Sequence, residues 1–449
     1  MSSIITSSEL DDRLTDLLRR SGIPGASVAV AVDGRSVAAA AGVVNAETGV
    51  EATPEALFQV GSITKVYVAT AVLALVAQGR LDLDRPVRTW LPELRLGDDD
   101  VAAAVTPRHL LTHTSGIAGD FFPDTGRGDD ALERFVAEAA DLGQDVGLGS
   151  VMSYSNTGFC LLGRLVEVVT GEPWDAAMRA LVYAPAELED TVTLPEQALA
   201  YRAAFGHVLG ADGRPALVDE WDFPRAAGPA GGICATASDL VAFARSHLAG
   251  RVLPGALADA MLEPQVTIPD RWSLGDHCGL AWMLRDAGGR RVHGHDGNGM
   301  GQAAFLRVVP DRGVAIALMT NGGDDLRPGH ALVAALLRDL AAIELPAPPR
   351  SVPGDPPGPA ATYERFGVRM EIGGASGAGR GRIVLREPLA SQMPGQPPVE
   401  LLLSRSEAGD DVLLAQVEGT AHAPAPLVRF EDDGVEHVHF GGRAMRRVA

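Results

Sequence analysis

Lysine is nearly absent from this sequence. Of its 38 basic residues only one, Lys65, is a lysine, and all the others are arginines. Arginine keeps its proton in proteins, whereas a buried lysine can lose its proton and act as a base. A general preference for arginine explains the low lysine count, but it does not explain why one position kept an amine. Lys65 is therefore the first candidate for a chemical role.

Cysteine is scarce as well. The three cysteines, Cys160, Cys234 and Cys278, are an odd number, and none belongs to a Cys-x-x-Cys pair. This pattern supports neither a disulfide framework nor a thiolate zinc site, so we expect buried free thiols. The His-x-His pairs at 293–295 and 437–439 have no cysteine or further histidine beside them. We therefore expect no metal and no cofactor.

Long apolar runs and an excess of basic charge are also missing. No stretch approaches the roughly 18 apolar residues that span a bilayer, and residues 1–12 lack the basic and apolar regions of a secretory signal. We therefore expect a cytoplasmic protein with no membrane partner. Acidic residues outnumber basic ones by 58 to 38, giving a formal net charge of -20. Such a surface repels phosphate backbones, so nucleic acid is not an expected partner.

Most of the chain combines strand-like and helical patterns. Residues 26–32 and 36–41 have strand character and flank an Asp-Gly pair, which is a strong hairpin signal. A long apolar helix follows at about 62–78, residues 80–220 are mostly helical in pattern, and strands return before a last helix. This order predicts an α+β fold, an antiparallel sheet flanked by helices with an all-α subdomain inserted at 80–220. We assign this domain to residues 1–343.

The C-terminal part of the chain has a different pattern. Residues 344–360 are rich in proline and predict a semi-rigid linker. Residues 361–449 contain short alternating segments separated by Gly and Pro turns, which favours a small antiparallel β-barrel or sandwich. The segments are 367–372, 382–386, 399–404, 411–417, 427–430 and 436–440.

A possible nucleophile stands three residues before the single lysine. Ser62 and Lys65 begin the long apolar helix, and positions i and i+3 share one helix face. A serine needs a base to be nucleophilic at neutral pH, and a desolvated lysine can be that base. Alone, the pair fits a simple alternative equally well, in which Ser62 caps the helix and Lys65 is solvated.

Further motifs in a fixed order favour the chemical interpretation. Together they resemble the class C β-lactamases and penicillin-binding-protein-like serine hydrolases, over roughly residues 10–340. The motifs are Phe58-Gln-Val-Gly-Ser-Ile-Thr-Lys65, Thr106-Pro-Arg-His-Leu-Leu-Thr-His-Thr-Ser-Gly116, Tyr154-Ser-Asn156, Pro229-Ala-Gly-Gly232 with Thr236-Ala-Ser-Asp-Leu240, and Gly294-His-Asp-Gly-Asn298. The resemblance implies a β-lactamase/transpeptidase-like fold.

The resemblance also implies a role for each matching position. Ser62 attacks the acyl carbon, while Lys65 and Tyr154 share the proton transfer, and which of the two is the base stays open. Asn156 hydrogen-bonds Lys65 or the substrate amide. His295 orients Tyr154 or relays a proton. The backbone N–H groups of Ser62 and Asn298 form the oxyanion hole, and Gly297 lets the backbone approach the substrate closely.

One departure from the pattern bears on the substrate. The third motif has His295-Asp-Gly297 where β-lactamases usually have Lys-Thr-Gly. A cation that would meet the β-lactam carboxylate is therefore lost or becomes pH-dependent. The resemblance then points to the esterases, D-amino-acid peptidases and acyltransferases of the superfamily.

The layout of two domains adds a more specific expectation. It is similar to stand-alone penicillin-binding-protein-type thioesterases that cyclise nonribosomal peptides, in which a lipocalin-like domain (here 361–449) follows the hydrolase domain. The resemblance implies a peptidyl thioester substrate delivered by a carrier protein. Among Arg443, Arg446 and Arg447 we select Arg446 as a substrate-binding candidate; as barrel-surface charges these arginines need no function.

Two alternatives remain open. The first is a cytoplasmic esterase or D-aminopeptidase of the same family that releases the acyl group to water. The second, from another class, is a binding protein with the same fold and no catalysis, which the intact motif residues disfavour.

Overall fold

The computed structural model describes residues 5–210, 212–218, 223–299, 301–322, 325–356, 358–373, 379–392, 395–420 and 423–449. A nine-stranded antiparallel sheet, the main sheet, organises the first three quarters of the chain. Its strands, in spatial order, are Val50–Glu51, Arg35–Asn45, Gly25–Val32, Val314–Thr320, Gln302–Val309, Arg290–Gly299, Met283–Ala287, His277–Cys278 and Val266–Thr267. The predicted hairpin is confirmed, with Val32 opposite Arg35.

Alternating side chains bury both faces of the main sheet. On strand Gly25–Val32, Val28 and Val30 face one apolar cluster, whereas Ala29 and Ala31 face another. This is the period of two expected of a strand that is covered on both sides. Helices Ser7–Ser21 and Arg327–Ala341 cover the valine side. The alanine side packs on helices Thr64–Ala77 and Ala237–Leu248.

Helices also fill the segment between the first and second halves of the main sheet. Helix Thr64–Ala77 is buried at every position from Thr64 to Leu75 because it runs through the largest apolar cluster. The described part of the chain contains no helix both long and apolar enough to cross a bilayer. The remaining helices are Asp99–Ala104, Pro107–Leu111, Ala131–Glu138, Asn156–Thr170, Trp174–Met178, Pro195–Ala198, Gly228–Gly231, Gly255–Met261 and Leu389–Gln392.

The last quarter of the chain forms a closed eight-stranded barrel, referred to below as the barrel. Consecutive strands pair in antiparallel fashion, and Tyr363 opposite Arg447 joins the first strand to the last. Closure removes the exposed edges that an open sheet would have. The strands are Ala361–Arg365, Val368–Ile372, Arg380–Leu385, Val399–Ser406, Gly409–Val417, Ala425–Asp432, Val435–Phe440 and Arg443–Arg447, and the strand Ser351–Val352 adds to the outside of the barrel.

The barrel contacts the helical segment next to Tyr154. The Tyr154 amide donates to the Gly442 carbonyl at 2.9 Å, and the Ala444 amide donates to Ser153 Oγ at 3.1 Å. In the turn after the barrel strand Ala361–Arg365, the Phe366 amide donates to Asp145 Oδ1 at 2.8 Å. These bonds fix the closing strands of the barrel beside one wall of the cleft described below.

Candidate active site

A tight turn delivers Ser62 and Lys65 to the same place. Residues Gly61–Ile63 form a 3-10 turn that leads into helix Thr64–Ala77. The sequence placed the helix start at Ser62, and the turn shifts the α-helix by two residues. Ser62 Oγ lies 3.2 Å from Lys65 Nζ, so the i, i+3 spacing brings the alcohol and the amine together as predicted.

Three oxygen atoms surround the Lys65 amine. Nζ lies 2.7 Å from Asn156 Oδ1, 2.6 Å from the Ala230 carbonyl oxygen and 3.2 Å from Ser62 Oγ. A neutral amine has two N–H bonds and one lone pair. Because the amide and carbonyl oxygens can only accept, they take the two N–H bonds and leave the lone pair for the Ser62 hydroxyl proton. The geometry therefore suits a general base.

Burial allows the Lys65 amine to be uncharged at neutral pH. Lys65 is fully buried, and burial lowers the pKa of Lys65 to about 7, with the Arg443 guanidinium acting in the same direction. The Cys160 thiol and the Asp120 carboxylate oppose this change. About half of the amine is then unprotonated near pH 7.

Tyr154 lies beside the amine as a neutral phenol. Lys65 Nζ lies 4.8 Å from the centroid of the Tyr154 ring. Burial raises the pKa of Tyr154 well above its usual value, although Ser62 and Arg443 favour the ionised form. The His113 ring stacks on the Tyr154 ring at 4.3 Å between centroids, and His113 Nδ1 accepts from the Ser155 amide at 3.0 Å. His113 therefore supports Tyr154 from behind.

His295 enters the cleft as an uncharged ring. Its Nδ1 lies 2.6 Å from the Asp296 carbonyl oxygen, so Nδ1 carries the proton and Nε2 is left as an acceptor. Burial lowers the pKa of His295 to about 4, and the nearby Lys65 acts in the same direction. At neutral pH the third motif therefore supplies no cation, because the uncharged ring of His295 stands in place of the lysine of a Lys-Thr-Gly motif.

The strand Arg290–Gly299 passes against the turn that carries Ser62. A Cβ added at Gly297 would lie 1.9 Å from the Val60 carbonyl oxygen and 2.9 Å from the Ser62 amide nitrogen. A Cβ added at Gly61, whose φ is +52°, would lie 2.8 Å from the Asn298 amide nitrogen. Only glycine permits this approach. It places the backbone of Asn298 beside the turn of Ser62, which is compatible with an oxyanion hole formed by these two amides.

A cleft of 480 Å³ opens over Ser62. Besides the groups just described, Gln59, Ser273 and His330 contribute polar side chains to its lining, which also includes apolar side chains. The barrel contributes Gly441 and Arg443 to the wall. The apolar lining comprises Phe122, Phe223, Leu274 and Leu326, together with Ala230.

The structure corrects the arginine that the sequence selected. Arg446 does not line the cleft, and its side chain is exposed. It follows Met445, which packs in the barrel core, so strand alternation turns Arg446 outward. Arg443, at the start of the same strand, lines the cleft and lies 5.2 Å from the centroid of the Tyr154 ring.

Arg443 is held by an aspartate that sequence reasoning missed. Asp120 accepts from Arg443 Nε at 2.7 Å and Nη2 at 2.8 Å, and it pairs with Arg365 Nη1 at 2.9 Å. Against the effect of burial, the two guanidiniums hold the pKa of Asp120 well below its usual value. The Asp145 carboxyl also acts on both guanidiniums, so two arginines and two acidic residues form one charged cluster next to the cleft.

The motif residues therefore converge on one cleft, with the amine, alcohol, phenol, imidazole and paired amides in place. The family model described as Beta-lactamase matches residues 10–339. The chain belongs to this family. The match covers the main sheet and the helical segment, which contribute every motif residue of the cleft, and the barrel lies beyond it.

Individual beta-lactamase relatives extend the comparison. Penicillin-binding protein 4 of Amycolatopsis lactamdurans is 46% identical over 371 residues, which cover 79% of this chain and 97% of the relative. The crystal structure of SurE matches with a TM-score of 0.79 and 31% identity over 97% of both chains, and SurE has also been solved with D-Leu. The D-amino acid amidase of Ochrobactrum anthropi SV3, complexed with D-phenylalanine, is 25% identical over 73% of this chain and 97% of its own, with a TM-score of 0.61. The chain is thus an enzyme of the β-lactamase-related serine hydrolases.

The ordered beta-lactamase motifs did not predict the charged cluster formed by Arg443, Asp120 and Arg365. Asp120 follows the Thr106–Gly116 motif by four residues and carries no recognisable signature. The two arginines lie on barrel strands outside the family match. The cluster of arginines near the C-terminus was the only available signal, and it did not distinguish Arg443 from Arg446.

Proposed function

We propose that this enzyme transfers acyl groups through a covalent intermediate on Ser62, with Lys65 as the base. The Ser62 hydroxyl passes its proton to Lys65 Nζ while Oγ forms a bond to the acyl carbon. The Ser62 and Asn298 amides stabilise the resulting oxyanion. The bond to the leaving group then breaks, and the leaving group receives a proton from the ammonium of Lys65 or through Tyr154. The observation that carries this proposal is that Lys65 Nζ lies 3.2 Å from Ser62 Oγ while its two other contacts are with oxygens that only accept.

The assignment of the base to Lys65 rests on the two pKa values. Lys65, with a pKa of about 7, is available as a neutral amine. The pKa of Tyr154 is raised by burial, so its phenolate is scarce. A base works best when its pKa is near the operating pH. Tyr154 is then better suited to donate a hydrogen bond or a proton to the leaving group.

The pH dependence of acylation should reveal this base. We expect kcat/KM to rise with pH through about 7, because a protonated Lys65 cannot accept the Ser62 proton. We expect no second limb between about pH 5 and pH 9, since His295 has a pKa of about 4 and the pKa of Tyr154 is raised. The measurement is the rate with a p-nitrophenyl ester at constant ionic strength. A flat profile across neutral pH would contradict the assignment.

For the substrate, we propose a nonribosomal peptidyl thioester that is cyclised by its own amine. The barrel residues Gly441 and Arg443 narrow the cleft beside Ser62, which limits the access of water to an acyl-enzyme. The Arg443 guanidinium in the cleft wall can donate to a carbonyl or carboxylate of the peptide. A carrier protein would present the thioester. The likeness to SurE, which covers the barrel as well, supports a role for both parts of the chain.

We further propose that the acyl carbon belongs to a D-residue. SurE was solved with D-Leu, and the amidase, which was solved with both D- and L-phenylalanine, is named a D-amino acid amidase. The apolar residues Phe122, Phe223 and Leu274 around Ser62 favour an apolar side chain on that residue.

A linear peptidyl thioester tests these proposals. With a C-terminal apolar D-residue on an N-acetylcysteamine thioester, we expect a product that has lost the thiol and shows no free acid by mass spectrometry. The L-epimer should turn over at least about tenfold more slowly, because a misplaced side chain disturbs the reacting geometry. Linear acid as the sole product would instead support an esterase or D-aminopeptidase. Absence of both products and of any acyl-enzyme would support a binding protein.

A further inference from the structure

A continuous set of hydrogen bonds links the barrel to the Lys65 amine. Arg443 and Arg365 of the barrel both pair with Asp120. Asp120 Oδ1 accepts from Asn156 Nδ2 at 2.9 Å, and Asn156 Oδ1 lies 2.7 Å from Lys65 Nζ. Asp120 is buried and is bonded to the barrel on one side and to a cleft residue on the other.

The carboxylate of Asp120 decides which way the Asn156 amide faces. An ionised carboxylate only accepts, so the amide must turn its N–H toward Asp120 and its oxygen toward Lys65. In the flipped orientation, the amide oxygen would face the carboxylate, and the N–H would face the amine. The Lys65 lone pair would then bond to Asn156 Nδ2 instead of the Ser62 hydroxyl. The observed orientation is the one that keeps the lone pair free for Ser62.

We propose that Asp120 is a positioning residue through which the barrel orients the Lys65 amine for proton transfer from Ser62. This proposal rests on the proposed role of Lys65 as the base. Asp120 acts through Asn156, and the guanidiniums of Arg365 and Arg443 keep Asp120 ionised and fixed in place. The barrel is therefore part of the catalytic apparatus in addition to forming a wall of the cleft.

The charged and titratable groups around Lys65 define what a change at Asp120 should do. Arg443 on the barrel disfavours the ammonium of Lys65, whereas Asp120 and the Cys160 thiol favour it. His113, His295 and Tyr154 complete the surroundings; Lys65 helps to lower the pKa values of both histidines, and its Nζ lies 4.8 Å from the Tyr154 ring. Without the Asp120 charge, only Asp145 offsets the charges of Arg443 and Arg365, so the ammonium of Lys65 loses stability.

The direct test is Asp120→Asn, which preserves size and removes the charge. We expect kcat for acylation of Ser62 by a p-nitrophenyl ester to fall about 100-fold, because the Asn156 amide is free to flip and the amine is misplaced. We also expect the acidic limb of the pH profile to move to lower pH. A role in folding alone would lower the whole profile without moving its limb.

Two further variants keep the test decisive if Asp120→Asn folds poorly. Arg365→Gln removes one partner of Asp120 from a side chain that does not line the cleft. We expect a fall in kcat of about 2- to 30-fold with little change in KM. Asp339→Asn is the matched control, because it removes a carboxylate that pairs with Arg13 at 2.7 Å, and neither residue lines the cleft. We expect it to leave both the rate and the acidic limb as in the wild type.

The outcomes separate this inference from the proposed function. If the wild type forms no acyl-enzyme on Ser62, the proposed function is wrong. If the wild type acylates normally, and Asp120→Asn acylates at the same rate with an unmoved limb, the positioning role of Asp120 is wrong and the proposed function stands. An equal effect of Asp339→Asn on rate and limb would also overturn the positioning role.

Discussion

Replacing Lys65 with methionine is expected to lower kcat/KM for acylation of Ser62 by about 10⁴-fold, the upper range for loss of a general base. Methionine has nearly the size of lysine and fits a fully buried site, but it has no lone pair that can accept the Ser62 proton. The side chains that remain near Ser62 are the neutral phenol of Tyr154 and the uncharged ring of His295. The rate of p-nitrophenol release from an activated ester measures the loss.

Lys65→Arg separates the effect of the base from that of the charge. A guanidinium keeps the positive charge but does not release its proton at neutral pH. We therefore expect Lys65→Arg to be about as inactive as Lys65→Met, and raising the pH should restore neither variant. Thermal unfolding controls for structure, since each variant leaves Asn156 Oδ1 and the Ala230 carbonyl with altered partners. Near wild-type turnover by a folded Lys65→Arg would remove the basis of the mechanism.

Gly297→Ala is expected to lower kcat by about 10²- to 10³-fold, as for loss of an oxyanion-hole donor. The new methyl group would overlap the Val60 carbonyl oxygen and press on the Ser62 amide. Because both contacts are with backbone, the strand that carries Asn298 must move away from Ser62. The binding of the ground-state substrate depends less on this amide pair, so KM should change less than kcat.

A glycine with open surroundings is the control for Gly297→Ala. At Gly255, an added Cβ would meet no described atom within 4 Å, so Gly255→Ala should behave as the wild type in kcat and in unfolding temperature. The two variants make the same chemical change and differ only in what the methyl group contacts. If Gly297→Ala kept wild-type kcat, the proposed pair of amides could not be the oxyanion hole.

The sequence predicted the central residues because they belong to ordered local motifs. Ser62 and Lys65 share a helix turn, and Tyr154 and Asn156 share a segment just before and at the start of helix Asn156–Thr170. His295 lies on the strand Arg290–Gly299, and Gly297 allows this strand to pass close to the backbone of Ser62. Local spacing therefore determined most of the cleft. The helix start was displaced only by the 3-10 turn at Gly61–Ile63.

The contribution of the barrel could not be predicted in the same way. Strands Ala361–Arg365 and Arg443–Arg447 were not among the six predicted segments. These two strands close the barrel and carry Arg365 and Arg443 to Asp120. Such contacts join positions more than 240 residues apart, and no local pattern records them.

The most direct test of the account is a search for the covalent intermediate itself. Incubation with an aryl phosphonate, followed by intact-mass measurement and peptide mapping, should give one adduct per chain, on Ser62. The adduct should form far more slowly in Lys65→Met and be absent in Ser62→Ala. Labelling of Ser62→Ala at the wild-type rate, or a wild-type adduct at another residue, would contradict the assignment of Ser62 as the nucleophile.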